Sequence, residues 1–353
     1  MFVRCLYSTE QTKTKCLKIN AVQQKLMQQF LLKKGDFSKF VNTAIKDSDF
    51  VAPVEGSREK QNTRPFFREI SSADEIYLGR KSYYTVKGFF FRENEKIFGF
   101  NGNKIINPES ELKDTIYFGL RRCDLNGIYH QDIVFLDENE DPFYKARRDA
   151  SLLIGYHCRE GDDYCFCNSM ELVDFFDLMF YDKGENYAVE TGSEKGNSFV
   201  KKYSKFFTKA DNAVSDEDRK TVNRKKLNTA DIKDDYDNDD WKKGSDICVS
   251  CGACNFLCMN CHCFDFEDDV EFDLKAGSRI RKPASCQLRS FTRVAGNHVF
   301  RNERNARFKH RIYHQLQYFR ERHNVQFCTG CGRCIEGCPV RIDWVEIINE
   351  MKK

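Results

Sequence analysis

The chain contains 353 residues, of which 31% are charged, and its formal net charge is +3. This length allows two domains that each bury a core of their own. No run of about 18 apolar residues is present and no compact apolar stretch opens the chain, so we expect a cytoplasmic protein with no membrane span.

The first part of the chain is predicted to be a mixed α/β domain at 25–207, preceded by an N-terminal extension at 1–24. Residues 21–34 have apolar side chains at helical spacing. Residues 84–100 predict two strands around a polar turn, and 177–191 predict another hairpin. Buried strands are predicted at 115–120, 132–137 and 151–158.

The middle of the chain changes character at residues 208–246, which are charged and poor in large apolar side chains. This composition is typical of a linker or a solvated helix. We therefore place a charged linker at 208–243 and a second domain at 244–353.

Cysteine is unusually abundant, with 17 residues in the chain. Disulfide scaffolds are usually short secreted proteins, whereas the cytosol keeps thiols reduced. Clustered cysteines in a chain of this kind indicate metal or redox chemistry.

Two stretches of the second domain share the spacing C-x2-C-x2-C-x3-C. The first motif contains Cys248, Cys251, Cys254 and Cys258, and the second contains Cys328, Cys331, Cys334 and Cys338. This is the spacing of bacterial ferredoxins, in which the fourth cysteine of each motif binds the other 4Fe–4S cluster. Zinc sites instead use paired C-x2-C knuckles with four ligands in all, which fits this repeat poorly.

The crossed arrangement predicts two 4Fe–4S clusters, at positions named here site A and site B. Site A comprises Cys248, Cys251, Cys254 and Cys338. Site B comprises Cys328, Cys331, Cys334 and Cys258. The motifs are separated by 69 residues, and 301–324 is predicted to be mainly helical. The second domain is therefore expected to be a helical dicluster ferredoxin domain, and the fold class α+β.

Four cysteines of the first domain, named here site C, lie at the ends of predicted strands or in the loops that follow. They are Cys123, Cys158, Cys165 and Cys167. They are either reduced, partly buried thiols or the ligands of a third 4Fe–4S cluster, and we favour the cluster. Basic side chains that could offset its charge are Arg121, Arg122, Arg147 and Arg148.

A basic block covers residues 279–323, with twelve Lys or Arg against two Asp or Glu. Such a block could bind nucleic acid, dock an acidic partner or lie beside anionic clusters. We favour cluster support or partner docking, because thiolate-bound clusters carry negative charge, and we expect no nucleic-acid partner.

The chain as a whole resembles the β subunit of cytosolic, NAD(P)-linked NiFe hydrogenases of the sulfhydrogenase type. It is also similar to the A subunit of anaerobic sulfite reductase. The stretches that carry the resemblance are 248–264, 285–311 and 327–339, together with 118–128, 141–158 and 164–170. It spans about residues 45–345, with the linker unmatched.

The resemblance implies an iron–sulfur electron carrier rather than a catalyst. Its partners would be a diaphorase-type subunit that handles flavin and NAD(P)H, and either hydrogenase small and large subunits or a sulfite reductase subunit. Hydrogen turnover, sulfur reduction and sulfite reduction, all anaerobic, remain open. The chain itself has no G-x-G-x-x-G nucleotide signature.

Three further cysteines, named here the surplus trio, recur in the family pattern: Cys261, Cys263 and Cys286. They could hold a fourth cluster with a non-standard ligand such as His262, replace Cys258 at site B, or bind zinc. Met259 stands where the family usually has proline, which weakens the case for Cys258. An alternative function is an iron–sulfur enzyme that acts directly on sulfur or a disulfide through this trio. Cys5 and Cys16 lie in the extension, and we assign them no role.

Overall fold

The computed structural model describes residues 27–56, 64–108, 112–272 and 274–353. Its strands are β1 (Gln29–Lys33), β2 (Asp49–Val54), β3 (Phe66–Glu69), β4 (Glu95–Asn101), β5 (Lys104–Ile106), β6 (Thr115–Leu120), β7 (Ser151–Tyr156), β8 (Leu178–Asp182), β9 (Asn186–Thr191), β10 (Thr208–Lys209), β11 (Phe264–Val270) and β12 (Ala276–Pro283). None of the helices in these ranges combines the length and the apolar character that crossing a membrane requires.

The helices are mostly short. They are α1 (Lys34–Ala44), α2 (Lys87–Phe90), α3 (Arg122–Phe135), α4 (Pro142–Asp149), α5 (Glu194–Lys202), α6 (Lys242–Ser245), α7 (Ala253–Phe256), α8 (Arg304–Tyr313), α9 (Phe319–His323), α10 (Arg333–Glu336) and α11 (Trp344–Met351). A π-helical turn, His314–Tyr318, joins α8 to α9.

The larger sheet has the strand order β10-β1-β9-β8-β7-β6-β2-β3. Its centre is parallel, because β2, β6, β7 and β8 all run in the same direction. Both faces are covered: Ile116 and Phe118 of β6 enter one buried apolar cluster, and Tyr117 and Leu120 enter the other. Burial on two faces explains why β6 is almost continuously apolar rather than alternating.

The smaller sheet joins the two predicted domains. Its order is β11-β12-β4-β5, so a hairpin from between the cysteine motifs pairs with strands of the first domain. Arg281 of β12 forms ion pairs with Glu95 of β4 and with Asp141 at the start of α4, and Arg147 also pairs with Glu95.

Several element predictions are confirmed and three are wrong. The strands at 115–120 and 151–158, the hairpin within 177–191 and the helical region within 301–324 are present, and the α+β class is confirmed. Residues 29–33 form β1 instead of a helix, because they pair with β9 and β10; residues 21–26 lie outside the described ranges. Residues 87–90 form a helical turn instead of a strand.

The third wrong element is the strand at 132–137, most of which belongs to α3. Leu125, Ile128 and Phe135 are buried at helical spacing. A short apolar run does not distinguish a buried helix from a strand. Here the run continues a helix that begins at Arg122, so most of it is helical.

Residues 208–243, predicted to be a linker, have little regular secondary structure but pack closely on the rest of the chain. Leu227, Ile232 and Trp241 are buried in the apolar core of the C-terminal part, together with Phe308 and Trp344. Three of the large apolar residues in this charged segment therefore anchor it.

Candidate metal centres

Site A surrounds an apolar cavity. All four of its predicted cysteines line this cavity, and Cys334 of site B lines the same cavity. The turn of the first motif needs Gly252, whose φ of 78° lies in the left-handed region that favours glycine. The Ser250 N–H points at the Cys248 sulfur at 3.4 Å, and the Ile342 N–H points at the Cys338 sulfur at 3.4 Å.

Site B lies directly beside site A. Its four predicted cysteines, Cys258, Cys328, Cys331 and Cys334, are close enough to perturb one another electrostatically. The Gly330 N–H donates to the Cys328 sulfur at 3.4 Å, and the Trp344 indole N–H donates to the Cys334 sulfur at 3.3 Å. Burial raises the pKa of the Cys328 thiol well above its usual value. A thiolate there requires compensation by a bound metal or by donors.

Site C lies at the carboxyl edge of two neighbouring parallel strands, a common location for functional sites. Cys123 lies in the first turn of α3, just after β6, and Cys158 follows β7, while Cys165 and Cys167 lie on the next loop. Cys165 lies close enough to Cys123, and Cys167 to Cys158, for their thiols to interact electrostatically. The loop that carries Cys165 and Cys167 therefore packs near the ends of both strands. The structure thus brings the four predicted cysteines to one edge.

Site C also packs against the second cysteine motif. The Cys165 thiol donates to the carbonyl oxygen of Cys331 at 3.6 Å, and the Phe166 N–H donates to the carbonyl of Gly330 at 2.8 Å. Gly332 has a φ of 70°, and a Cβ added there would collide with the Tyr164 carbonyl. These close contacts place site B between site A and site C.

Segment 208–243 closes the outer side of site C. Asn223 Oδ1 accepts from the Cys167 thiol at 3.3 Å and from the Asn168 N–H at 2.8 Å. The Thr221 hydroxyl donates to the Cys158 carbonyl at 2.8 Å. No sequence pattern predicted these contacts, because Asn and Thr in a polar stretch are ordinarily solvated.

Buried cations separate the sites. Arg311, which lines the site A cavity, donates to the Cys254 carbonyl at 2.8 Å. Burial alone would lower the pKa of Arg311, but thiols of sites A and B raise it above its usual value. Between sites B and C, the buried Arg333 pairs with Asp124 at 2.8 Å, and Lys81 pairs with Asp162 beside Cys165.

The four arginines proposed to offset charge at site C behave differently from one another. Arg122 lies close enough to lower the pKa of Cys167, against the larger effect of burial, and also pairs with Asp174. Arg121 donates to backbone carbonyls, including that of Leu78. The expectation is wrong for the remaining two, because carboxylates already neutralise them: Arg147 pairs with Glu95, and Arg148 pairs with Asp132.

The surplus trio is split between two places. Cys261 donates a hydrogen bond to Cys258, which lowers the pKa of the Cys258 thiol, and Gln315 Nε2 donates to the Cys261 sulfur at 3.6 Å. Cys263 instead donates to Cys286, whose sulfur also accepts from Asn255 Nδ2 at 3.0 Å.

His262 packs in an aromatic cluster with Phe135, His314 and Phe327, and its Nδ1 lies 3.1 Å from the Asn260 carbonyl. Burial lowers its pKa to about 4. Within the described ranges, no three His, Cys, Asp or Glu side chains form a group that could hold a single metal ion. A cubane binds its four thiolates through different irons, so its ligands need not meet at one point.

Met259, the departure from the family's proline, fastens the first motif to the first domain. Its side chain lies on Gly127 of α3, where a Cβ would collide with it, and its carbonyl accepts from Gln131 Nε2 at 2.6 Å.

The residues at sites A and B fit 4Fe–4S clusters on three counts. Four thiols surround each position, backbone and indole N–H groups point at sulfur, and a buried arginine lies between the sites. Sites A and B define a ferredoxin-type dicluster protein, and residues 247–342 match the 4Fe-4S dicluster domain family. Such a domain supports an iron–sulfur electron-transfer role.

The chain is also 31% identical over 337 residues to sulfhydrogenase 2 subunit beta of Pyrococcus furiosus, which covers 90% of this chain and 96% of that protein. The chain belongs to the family of sulfhydrogenase β subunits.

Proposed function

We propose that the chain is the electron-relay subunit of an oxidoreductase complex, between a flavin and NAD(P)H-handling subunit and a catalytic subunit. The observation that carries this proposal is the continuity of the three sites. Cys334 of site B lines the site A cavity, and Cys165 of site C contacts Cys331 of site B. A chain of electron-transfer steps requires redox groups in which each lies close to the next.

Each 4Fe–4S cluster, when bound, would accept and release one electron. Sites A and B would use their eight motif cysteines, and site C would use Cys123, Cys158, Cys165 and Cys167 for a third cluster. The N–H groups aimed at sulfur stabilise negative charge there, and buried apolar neighbours such as Ile312 exclude water.

The surplus trio is left outside these sites in the proposal. Its members form two hydrogen-bonded pairs, Cys261 with Cys258 and Cys263 with Cys286. Cys261 is also the alternative ligand for site B, because its thiol is hydrogen-bonded to that of Cys258.

The identity of the partner subunits is inferred from the family to which the chain belongs. The relative is named as a subunit of a sulfhydrogenase, so the catalytic partner is proposed to be a NiFe hydrogenase that also reduces sulfur. A sulfite reductase partner is the second choice, since the same family resemblance includes it.

Iron, acid-labile sulfide and zinc, measured per chain on protein purified without oxygen, test the cofactor assignment. About twelve iron with equal sulfide are expected, four for each of three clusters. About eight would remove site C, about sixteen would make the surplus trio a ligand set, and zinc without iron would overturn the relay.

Cys165→Ala should lower the iron content by about four per chain, and Cys331→Ala should stop electron flux through the complex. Cys263→Ser is the matched control and should retain all iron. Unchanged iron in Cys165→Ala would refute the cluster at site C. Unchanged electron flux in Cys331→Ala would show that electrons do not pass through site B.

A further inference from the structure

The two cysteine motifs are copies of one another, but their surroundings differ. Position for position, Ile247 corresponds to Phe327, and Val249 corresponds to Thr329. Ile247 and Val249 are 50% and 58% exposed, whereas Phe327 and Thr329 are 0% and 2% exposed. The first motif therefore exposes apolar side chains at positions where the second motif buries its own.

The cysteines follow the same contrast. Cys251 of the first motif is exposed, whereas its counterpart Cys331 is partly covered. Phe256, at 43% exposure, adjoins this loop, since a Cβ on Gly252 would touch its ring. We call the surface formed by Ile247, Val249, Cys251 and Phe256 the site A face.

The matching face of the second motif is covered by a particular segment of the first domain. Tyr164 and Cys167 pack on Gly332 and Gly330 so closely that neither glycine has room for a Cβ. That segment also carries Cys165, so the cover of the second motif itself brings the next candidate redox site into contact.

The site A face is bordered by arginines. Arg304 donates to the Asp246 carbonyl at 3.2 Å, and Arg307 donates to the Ser250 hydroxyl at 3.3 Å. Burial lowers the pKa of Arg307, and Arg289 lies close enough to lower it further. Among the residues that the structure describes, Arg289 and Arg304 form no ion pair with a carboxylate. The border also carries the carboxylates of Asp246 and Glu303, so three arginines against two carboxylates leave it with a small net positive charge.

We propose that the site A face docks a partner subunit, and that this subunit presents its own redox cofactor through an apolar patch rimmed by carboxylates. The partner would occupy on the first motif the position that 164–167 occupies on the second. This inference rests on the proposed relay function and assigns one end of the relay to site A. Apolar contact would give affinity, and the opposite charges would set orientation and association rate.

Ile247→Glu tests the proposal in the complex isolated without oxygen through a tag on this chain. Ile106→Glu is the matched control, because Ile106 is also 50% exposed but lies on β5 of the smaller sheet. We expect Ile247→Glu to keep the iron and sulfide of the unaltered chain and to lose at least tenfold in the amount of cofactor-bearing partner retained at gel filtration. Arg304→Glu should weaken retention more at low salt than at high salt.

The outcomes separate this inference from the relay function. Equal retention of the same partner by Ile247→Glu and Ile106→Glu, with equal electron flux, would overturn docking at the site A face and leave the relay intact. Loss of only a second copy of this chain would overturn the choice of partner. Absence of iron from the unaltered chain would instead refute the relay itself.

Discussion

Arg311 and Arg333 are both buried beside cysteines, but their charges are balanced differently. Arg333 forms an ion pair with Asp124, and both side chains are 0% exposed. Arg311 has no carboxylate partner among the described residues; its Nε donates to Asn255 Oδ1 at 3.1 Å and its Nη2 to a carbonyl. An uncompensated buried cation is costly, so its position is explained by negative charge at sites A and B.

Replacing Arg311 should therefore lower the reduction potentials of sites A and B. At an effective dielectric constant of about 20, a unit charge about 8 Å away contributes about 2 kcal/mol, or about 90 mV for one electron. Arg311→Gln should shift potentials by that order to more negative values in a redox titration followed by electron paramagnetic resonance.

Arg279→Gln is the control for Arg311→Gln, because Arg279 lies in the same basic block but is exposed and pairs with Asp268. Its potentials should match those of the unaltered chain. Equal potentials in Arg311→Gln, at full iron content, would mean that its charge does not act on either cluster.

Gly332 makes a separate prediction, because its φ of 70° and its contact with Tyr164 both oppose a side chain. Gly102 has a φ of 55° and nothing within 4 Å of the position of a Cβ. Gly102→Ala should cost about 1–2 kcal/mol through its backbone alone. Gly332→Ala should cost more and should also release iron, measured as iron per chain after gel filtration.

If Gly332→Ala and Gly102→Ala lose stability equally and both keep their iron, the packing of Tyr164 on the second motif is not needed to hold sites B and C together.

Among the secondary-structure elements, those that follow from regular local spacing could be predicted from the sequence. Contacts between segments that are distant in sequence could not. The motif cysteines and the strands at 115–120 and 151–156 follow from patterns within a few residues. The hairpin β11–β12 was not predicted, because its partner β4 lies far away in sequence. The basic block was predicted as one unit, yet Arg311 lies among cysteines while Arg281 holds the smaller sheet.

The charge cluster at Glu95 fixes the smaller sheet to α4. Glu95 is buried and pairs with Arg147 and Arg281. Removing one partner of a buried pair typically costs about 3–5 kcal/mol, so Glu95→Gln should lower the thermal unfolding midpoint by roughly 4–7 °C.

Glu267→Gln removes the exposed pair with Lys282 on the same hairpin and should shift the midpoint little. Similar midpoints for Glu95→Gln and Glu267→Gln would show that the buried cluster does not hold the smaller sheet in place.

At the scale of the molecule, site C could be proposed from its cysteines, but its position could not. Four thiols on separate loops indicate a metal only if the fold brings them together, and the contacts that do so come from distant segments. Gly330 and Gly332 belong to the second motif, and Asn223 belongs to the segment predicted as a linker. The linker was predicted from its composition, and composition alone does not show which side chains of a segment will contact the rest of the chain.

The two parts of the chain therefore hold each other through direct contacts as well as through the segment that connects them. Pairing of β12 with β4, the Arg333–Asp124 pair and the packing of Met259 on Gly127 all cross the expected boundary. A protease site inserted between Lys233 and Asp234, which are both exposed, would cut the segment without touching these contacts.

The cut chain should elute as one species with all of its iron, because the interface carries the buried contacts of sites B and C. A matched insertion left uncut controls for the added residues. Two separate species, or loss of iron on cutting alone, would mean that residues 208–243 are the main connection between two independent domains.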